Sequence, residues 1–144
     1  MKILGTYPKK TKGDVMTIKA ETSVQQRIQE YIAGRGGYIP KKNHGNMITK
    51  KGLHDLPFTY KGFSCYMEVK TEDTPADVSK HQGIHCRLAR KALGLTAIVW
   101  NIQQIQIILD ALDYCDRLGY SPREMLTYMT FFFEQKGLDD GTKY

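Results

Sequence analysis

The spacing of apolar residues divides most of this chain into helices and strands. Apolar positions recur every three to four residues in four stretches, which predicts amphipathic helices there. Alternating or continuous apolar runs follow the first and the second of these stretches, which predicts strands. The predicted elements are helices over about 21–33, 79–93, 101–118 and 121–137, a hairpin over about 52–70, and a strand over 95–100.

Residues with known preferences for helix ends support these boundaries. Side chains that cap a helix N-terminus stand at the start of each helical stretch, and glycine follows three of them. The candidate N-caps are Thr22 or Ser23, Ser79, Asn101 and Ser121. The candidate terminating glycines are Gly34, Gly36 and Gly37 for the first helix, Gly94 for the second and Gly137 for the last. Two alternatives stay open: residues 104–107 alternate in polarity and fit a strand, and residues 37–39 fit a short additional strand.

Helices that flank strands predict an α/β domain built around a mixed β-sheet. The apolar run over 95–100 predicts a buried central strand of that sheet. At 144 residues the chain is long enough for one domain with its own core. We expect a basic N-terminal arm over 1–20, a core over 21–100, and a C-terminal helical extension over 101–144 that packs on the same domain.

The hairpin sets the spacing between two acidic residues. Lys61 and Gly62 form a predicted two-residue turn, which pairs residue 60 with residue 63 and every further pair outward. In that register Asp55 lies directly opposite Glu68 on one face, where the Cβ atoms of paired residues are about 4.5–5.5 Å apart. Lys70 lies two residues beyond Glu68 on the same strand and therefore shares its face.

Two carboxylates this close repel each other unless a cation lies between them. With an ammonium beside them, Asp55, Glu68 and Lys70 predict a metal-dependent site for phosphodiester hydrolysis. Taken singly, each residue has an ordinary alternative: Asp55 as a turn residue, and Glu68 and Lys70 as parts of an exposed strand face. Pro57 is the weak point of the register, because a bulge there would move Asp55 to the opposite face.

The charge of the chain favours a polyanionic partner, most often nucleic acid. The net charge is +6 and the pI is near 9.2, with many lysines in the first 51 residues. A basic protein without such a partner is the alternative. The three cysteines are far apart and the N-terminus lacks the apolar segment of a secretory leader, so we expect reduced thiols and a cytoplasmic location. We expect no membrane span, because no apolar run is long enough.

The order of these residues resembles that of the PD-(D/E)XK nuclease superfamily, and most closely its small stand-alone VRR-NUC-type domains. The resemblance covers about residues 20–100 and leaves the C-terminal helices outside it. The matching residues are Glu21 on the first helix, Gly52-Leu53-His54-Asp55-Leu56 at the hairpin start, Glu68-Val69-Lys70-Thr71 on the next strand, and Ser79-Lys80-His81-Gln82 on the second helix. His54 stands where the superfamily motif has proline.

The resemblance implies a restriction-endonuclease-like core and a Mg²⁺- or Mn²⁺-dependent endonuclease that cuts DNA. The implied metal ligands are Asp55, Glu68 and the backbone carbonyl of Val69. Lys70 would position or activate the attacking water, or stabilise developing negative charge. Glu21 would act through a water or a second metal, and Gln82 would orient Lys70 or a ligand. Such a site suits Mg²⁺, which takes oxygen ligands and keeps several waters.

The resemblance also implies partners. It suggests structured or branched DNA, such as four-way junctions, and symmetric incision of a junction needs two active sites and hence a C2 homodimer. The C-terminal aromatic helix is the candidate interface. The candidate phosphate contacts are Lys41, Lys42, Lys50, Lys51, Lys80, Arg87 and Lys91, with a solvated basic face as their alternative.

Three further alternatives remain from the sequence. His81 and His85 lie four residues apart on a helix, a spacing that also permits zinc ligation. A second function is a nucleic-acid-binding module that keeps the nuclease fold and does not cleave. A third is a structural subunit that works through its C-terminal helices, where Met125, Met129, Phe132 and Phe133 form a stripe typical of a core or a subunit interface.

Overall fold

A computed structural model describes residues 20–40, 56–70 and 80–142, with side chains described for 23–40, 56–70 and 82–142. These ranges form four helices and three strands, arranged as an α/β fold. The helices are α1 (Ala20–Gly34), α2 (Lys80–Lys91), α3 (Ile102–Arg117) and α4 (Pro122–Lys136), and the strands are β1 (Leu56–Tyr60), β2 (Phe63–Val69) and β3 (Leu95–Val99). Within the described residues, no helix combines the length and the apolar character needed to cross a membrane.

The three strands form one small mixed sheet in the order β1-β2-β3. β1 and β2 form an antiparallel hairpin, whereas β2 and β3 run parallel. Lys61 and Gly62 both have positive φ, 53° and 82°, as a type I′ turn requires. The predicted register is confirmed along the described hairpin, from Tyr60 opposite Phe63 through Pro57 to Leu56 opposite Met67, without a bulge.

One face of the sheet carries the main hydrophobic core. Every second residue of β2, from Phe63 to Val69, is buried on this face. Ile28 and Ile32 of α1 pack into it as the helical spacing predicts. The same core contains the buried side chains of α3 and α4, which are Ile102, Ile105, Ile108, Leu109, Ala111, Leu112, Cys115, Met125, Met129 and Phe133. The C-terminal helices therefore share one core with the sheet.

Helix α2 and the C-terminal segment 139–142 lie on the opposite face. Cys86 of α2 is buried there, and the turn after α2 approaches so closely that a Cβ on Gly94 would lie 2.6 Å from a ring carbon of Tyr66. The segment also covers the outer edge of β3, where the Ile98 N–H donates to the Asp139 carbonyl at 3.4 Å. Both faces of the sheet are thus covered, as in most sheets with parallel pairs.

The caps of α3 and α4 settle one open alternative. The Asn101 side chain accepts a hydrogen bond from the Gln104 N–H at 2.9 Å, so residues 104–107 belong to a helix and the strand alternative is wrong. Ser121 and Glu124 form a reciprocal capping box at the start of α4. Gly137 ends α4 in the left-handed conformation, with φ of 67°.

Two of the predicted strand assignments are wrong. The strand over 95–100 is buried, but it lies at the end of the β1-β2-β3 order, and β2 is the central strand. This strand, β3, has a neighbouring strand on one side only. It is buried because helices cover its faces and the C-terminal segment covers its outer edge. Residues 37–39 form one isolated bridge, Tyr38 with Thr59, instead of a strand.

Two predicted helix ends are also wrong. α1 begins at Ala20, so Thr22 and Ser23 lie inside its first turn and do not cap it. α2 ends at Lys91, and Leu93 takes the left-handed conformation, with φ of 68°, that glycine usually adopts at such a position. Gly94 is needed for its small size beside Tyr66 rather than for its backbone freedom.

A polar network joins three elements at the turn end of the hairpin. Arg35, just after α1, donates to Asp113 of α3 at 2.7 Å and lies 2.9 Å from Asp110. The Tyr60 hydroxyl donates to the second oxygen of Asp113 at 2.7 Å. The Arg35 guanidinium also lies over the rings of Tyr31 and Tyr60, 5.7 and 5.8 Å from their centres. This network fixes α1 and α3 against β1.

Candidate functional site

Glu68 is the most unusual residue of the described sheet because it is a fully buried carboxylate. Its exposed fraction is 0%, and it lies on the central strand in register with Ile98 of β3. It belongs to the face that α2 covers, since Met67 and Val69 on either side of it point into the main core. Acidic side chains are rarely buried to this degree without specific partners, because desolvation of the charge is costly.

Gln82 of α2 is one such partner. Its side-chain amide donates a hydrogen bond to Oε2 of Glu68 at 2.9 Å. The two residues are 14 positions apart, and they meet because α2 packs across the face of the sheet that carries Glu68. Two of the five predicted catalytic residues, Glu68 and Gln82, therefore lie in direct contact. The amide fixes the orientation of the carboxylate, as hydrogen-bond partners commonly do for carboxylates that bind a metal.

Cys86 lies one helical turn after Gln82 and borders the same carboxylate. Burial, followed by the negative charge of Glu68, raises the pKa of the Cys86 thiol from 9.0 to about 11. Without a metal the thiol consequently stays protonated at neutral pH and is a neutral neighbour of the Glu68 carboxylate. All three cysteines are buried and free of disulfides.

Lys70 follows directly on β2 and extends the parallel ladder. Its N–H donates to the Val99 carbonyl at 2.9 Å, so the backbone keeps its strand geometry one residue past Val69. Strand alternation then directs the half-buried Lys70 side chain to the same side as Glu68. Both groups lie at the carboxyl ends of β2 and β3, the edge at which parallel sheets bind ligands.

Asp55 lies outside the described residues, so its contact with Glu68 stays a prediction. The last described pair, Leu56 with Met67, is one step before the predicted pair of residues 55 and 68. The Pro57 bulge that would have moved Asp55 to the other face is absent from this ladder. The predicted pairing of Asp55 with Glu68 requires a ladder without a bulge, and the ladder has none up to Leu56.

Glu21 belongs to the first turn of α1, and its side chain lies outside the described part. Val24 and Arg27, one and two turns later, line a cavity together with Trp100 and residues 101–103. The beginning of α1 is consequently at the same edge of the sheet as Lys70. This location agrees with the predicted participation of Glu21 and does not test its role.

A divalent cation would need more ligands than the described residues provide. Glu68 offers a buried carboxylate and Val69 a backbone carbonyl next to it, both hard oxygen donors of the type that Mg²⁺ and Mn²⁺ prefer. In the part of the chain that the structure describes, no three histidine, cysteine or acidic side chains cluster around a possible metal position. A metal site here fits the donor chemistry, provided that Asp55 completes it.

The predicted DNA contacts are described in part. Arg87 and Lys91 are exposed on α2, whereas Lys41, Lys42, Lys50 and Lys51 and the side chains of Lys80 and His81 lie outside the described residues. The zinc alternative at His81 and His85 is therefore not tested.

The sequence reasoning missed Arg90 on α2. Its guanidinium donates to Thr96 Oγ1 at 2.8 Å and to the Asp140 carbonyl, so it ties the C-terminal segment to β3. Burial lowers the pKa of Arg90, and the nearby charge of Asp140 opposes this shift. The sequence did not indicate this contact, because Arg90 and Asp140 are 50 positions apart and share no motif.

No protein-family model matches this chain, and the searches found neither a curated protein nor a solved structure that matches it. The functional assignment therefore depends on the residues and their geometry.

Proposed function

We propose that this protein is a metal-dependent endodeoxyribonuclease with a restriction-endonuclease-like core, acting on structured or branched DNA in the cytoplasm. One observation carries the proposal: a fully buried glutamate on the central strand, held by a glutamine amide from the neighbouring helix, with a lysine two residues further along. Burying a carboxylate costs stability, and proteins commonly tolerate such a cost at functional sites.

The division of labour follows from the position of each group. Glu68, the Val69 carbonyl and Asp55 would hold Mg²⁺ or Mn²⁺, and Gln82 keeps the Glu68 carboxylate in the orientation for binding. The bound cation supplies charge neutralisation on the phosphate. Lys70 is the proton-handling and charge-stabilising group, since its ammonium is on the side of Glu68. Glu21 would hold a water at the same edge of the sheet.

The basic and aromatic surfaces support the proposed partner and assembly. Arg87 and Lys91 are exposed on α2, the helix that supplies Gln82, and would contact the DNA backbone. α4 buries Met125, Met129 and Phe133 in the core but leaves Phe131 59% exposed. We include a C2 homodimer through this helix in the proposal, because cleavage of both strands of a junction needs two sites.

Cleavage of a panel of labelled DNAs tests the proposal. The panel contains linear duplex, single-stranded, forked and four-way-junction DNA, each incubated with Mg²⁺, with Mn²⁺ and with a chelator. We expect metal-dependent cleavage of at least the branched substrates, and Lys70→Ala should lower the rate by about 10²–10⁴-fold. Arg117→Ala, which removes an exposed cation at the end of α3, is the control and should leave the rate unchanged.

The panel also separates the proposal from its main alternative. If the protein binds these DNAs but cleaves none of them with either metal, the nuclease assignment is wrong and a non-cleaving binding module is favoured. If Lys70→Ala cleaves as fast as wild type, Lys70 has no role in the reaction.

A further inference from the structure

A small open cavity lies beside the proposed active site and has no role in the mechanism above. Its volume is about 150 Å³, and it is lined by Val24, Arg27, Trp100, Asn101, Ile102 and Gln103. Residues from the beginning of α1, the end of β3 and the beginning of α3 thus meet around it. The cavity is therefore built from three elements of the core and is held in place by the packing of α1 and α3 on the sheet.

The register of the sheet places this cavity at the same edge of the sheet as Lys70. Val69 pairs with Val99, and the next hydrogen bond of the ladder joins the Lys70 N–H to the Val99 carbonyl at 2.9 Å. Trp100 directly follows Val99, and adjacent strands are about 4.8 Å apart, so the backbones of Lys70 and Trp100 are close together at this edge. The cavity itself opens between α1 and α3, on the side of the main core.

The size of the cavity restricts its occupant to about one aromatic ring. A cavity of about 150 Å³ in another protein binds benzene. A purine has two fused rings and would fit incompletely, while a pyrimidine would fill the space. A base that remains stacked and paired inside a duplex could not enter. The volume therefore fits one unpaired base and matches a pyrimidine more closely than a purine, part of which would project from the open side.

The lining offers the three kinds of contact that such a nucleotide needs. The half-buried Trp100 supplies an indole face for stacking, while Val24 and Ile102 supply apolar contact. The exposed Gln103 supplies an amide that can donate to and accept from the edge of a base. The exposed Arg27 supplies a guanidinium for the phosphate. Asn101 is less available, because its side-chain oxygen already caps α3.

We propose that this cavity binds one unpaired pyrimidine nucleotide, with its base stacked on Trp100 and its phosphate at Arg27. The role of this nucleotide in DNA cleavage rests on the proposed nuclease function, but the binding itself does not. In the setting of that function, the cavity explains how the enzyme would prefer branched or distorted DNA. Bases at a branch point are unstacked more easily than bases within a duplex.

Trp100 is the only tryptophan of the chain, so its fluorescence reports on this cavity directly. The experiment uses the full chain in a chelator, which prevents any cleavage. The probes are single-stranded thymidine and adenosine homopolymers of about ten nucleotides, a length within the usual site size for single strands. A thymidine–adenosine duplex and an abasic strand of the same length complete the set. We expect the thymidine strand to quench Trp100 most strongly, and the duplex and the abasic strand to quench it at least fivefold less.

The variants are compared by fluorescence anisotropy, which measures their affinity for a fluorescein-labelled thymidine strand. Trp100→Ala and Arg27→Ala should each weaken binding by about tenfold or more, while Trp100→Phe should restore most of the affinity because it keeps a stacking face. Arg123→Ala on α4 is the matched control for a lost exposed arginine. If Trp100→Ala does not fold, Arg27→Ala and Gln103→Leu, which change exposed side chains, provide the answer.

The proposal is overturned if the abasic strand quenches Trp100 as strongly as the thymidine strand, or if Arg27→Ala and Gln103→Leu bind with wild-type affinity. These results are independent of the cleavage test. If thymidine strands quench Trp100 but no DNA is cleaved, the nucleotide site is supported and the nuclease function is refuted. If DNA is cleaved but Trp100 fluorescence does not change, the nuclease function is supported and the nucleotide site is refuted.

Discussion

The hydrogen bond from Tyr60 to Asp113 gives a quantitative prediction about stability and its dependence on pH. Tyr60 is 2% exposed, and its hydroxyl donates to Asp113 at 2.7 Å while Arg35 holds the other carboxylate oxygen. Tyr60→Phe removes this hydrogen bond and keeps the ring in the core. We expect the free energy of unfolding near neutral pH to fall by about 1.5–3 kcal/mol, the usual range for hydrogen bonds to charged groups.

The pH dependence follows from the state of the phenol. Burial, and then the hydrogen bond to Asp113, raise the pKa of Tyr60 from 10.0 to about 12. The folded state therefore keeps the proton that the unfolded state loses above pH 10, so stability from Tyr60 is complete below about pH 10 and falls as the pH rises towards 12. At about pH 11 the loss amounts to about 1.4 kcal/mol, the equivalent of one pKa unit.

Urea unfolding, followed by circular dichroism between about pH 7 and 11, measures both effects. The difference in unfolding free energy between wild type and Tyr60→Phe should shrink by about 1.4 kcal/mol at the alkaline end, because phenylalanine does not titrate. Tyr38→Phe, at a tyrosine that is 67% exposed, is the matched control and should change stability by less than about 0.5 kcal/mol at any pH. If the difference in unfolding free energy between wild type and Tyr60→Phe stays constant or grows above pH 10, the folded protein does not hold the Tyr60 proton as proposed.

Three further substitutions test the turns and the packing of the sheet, each by the same unfolding measurement. Gly94→Ala should cost about 1–3 kcal/mol, because its Cβ would lie 2.6 Å from the Tyr66 ring; unchanged stability would show that the turn after α2 adjusts freely. Lys61→Asn should raise stability by up to about 1 kcal/mol, since asparagine tolerates the positive φ of 53° better; a loss would mean that the lysine contact with Tyr60 is worth more. Thr96→Val should cost about 1–3 kcal/mol, because Arg90 loses its acceptor at 2.8 Å; a neutral result would contradict the role of this bond.

Features set by neighbouring residues could be predicted from the sequence. Lys61 and Gly62 specify a two-residue turn, and the turn alone determines the register that continues to Leu56. Asn101 identifies the start of α3 because capping requires a contact just three residues away. The role of Gln82 beside Glu68 was expected only from the family resemblance, because the order of the elements does not determine which face of the sheet α2 covers.

Features that depend on tertiary packing could not be predicted in this way. The apolar run of β3 indicates burial but does not tell whether strands or helices provide it, so its place at the sheet edge was missed. Arg35 and Asp113 are 78 residues apart, and neither lies in a motif. Leu93 ends α2 in the left-handed conformation, while the following Gly94 packs against Tyr66, a contact between distant segments. The Trp100 cavity likewise needs three elements to be assembled.

Calorimetric titration of the protein with Mn²⁺ or Mg²⁺ tests the central claim most directly, because it examines the carboxylate pair without any assumption about the DNA. We predict a saturable binding isotherm for wild type that is lost in both Asp55→Asn and Glu68→Gln. Asp116→Asn, at an exposed acid of α3, should bind as wild type does. Wild-type affinity in Glu68→Gln, or no binding to the wild-type protein at all, would contradict the account.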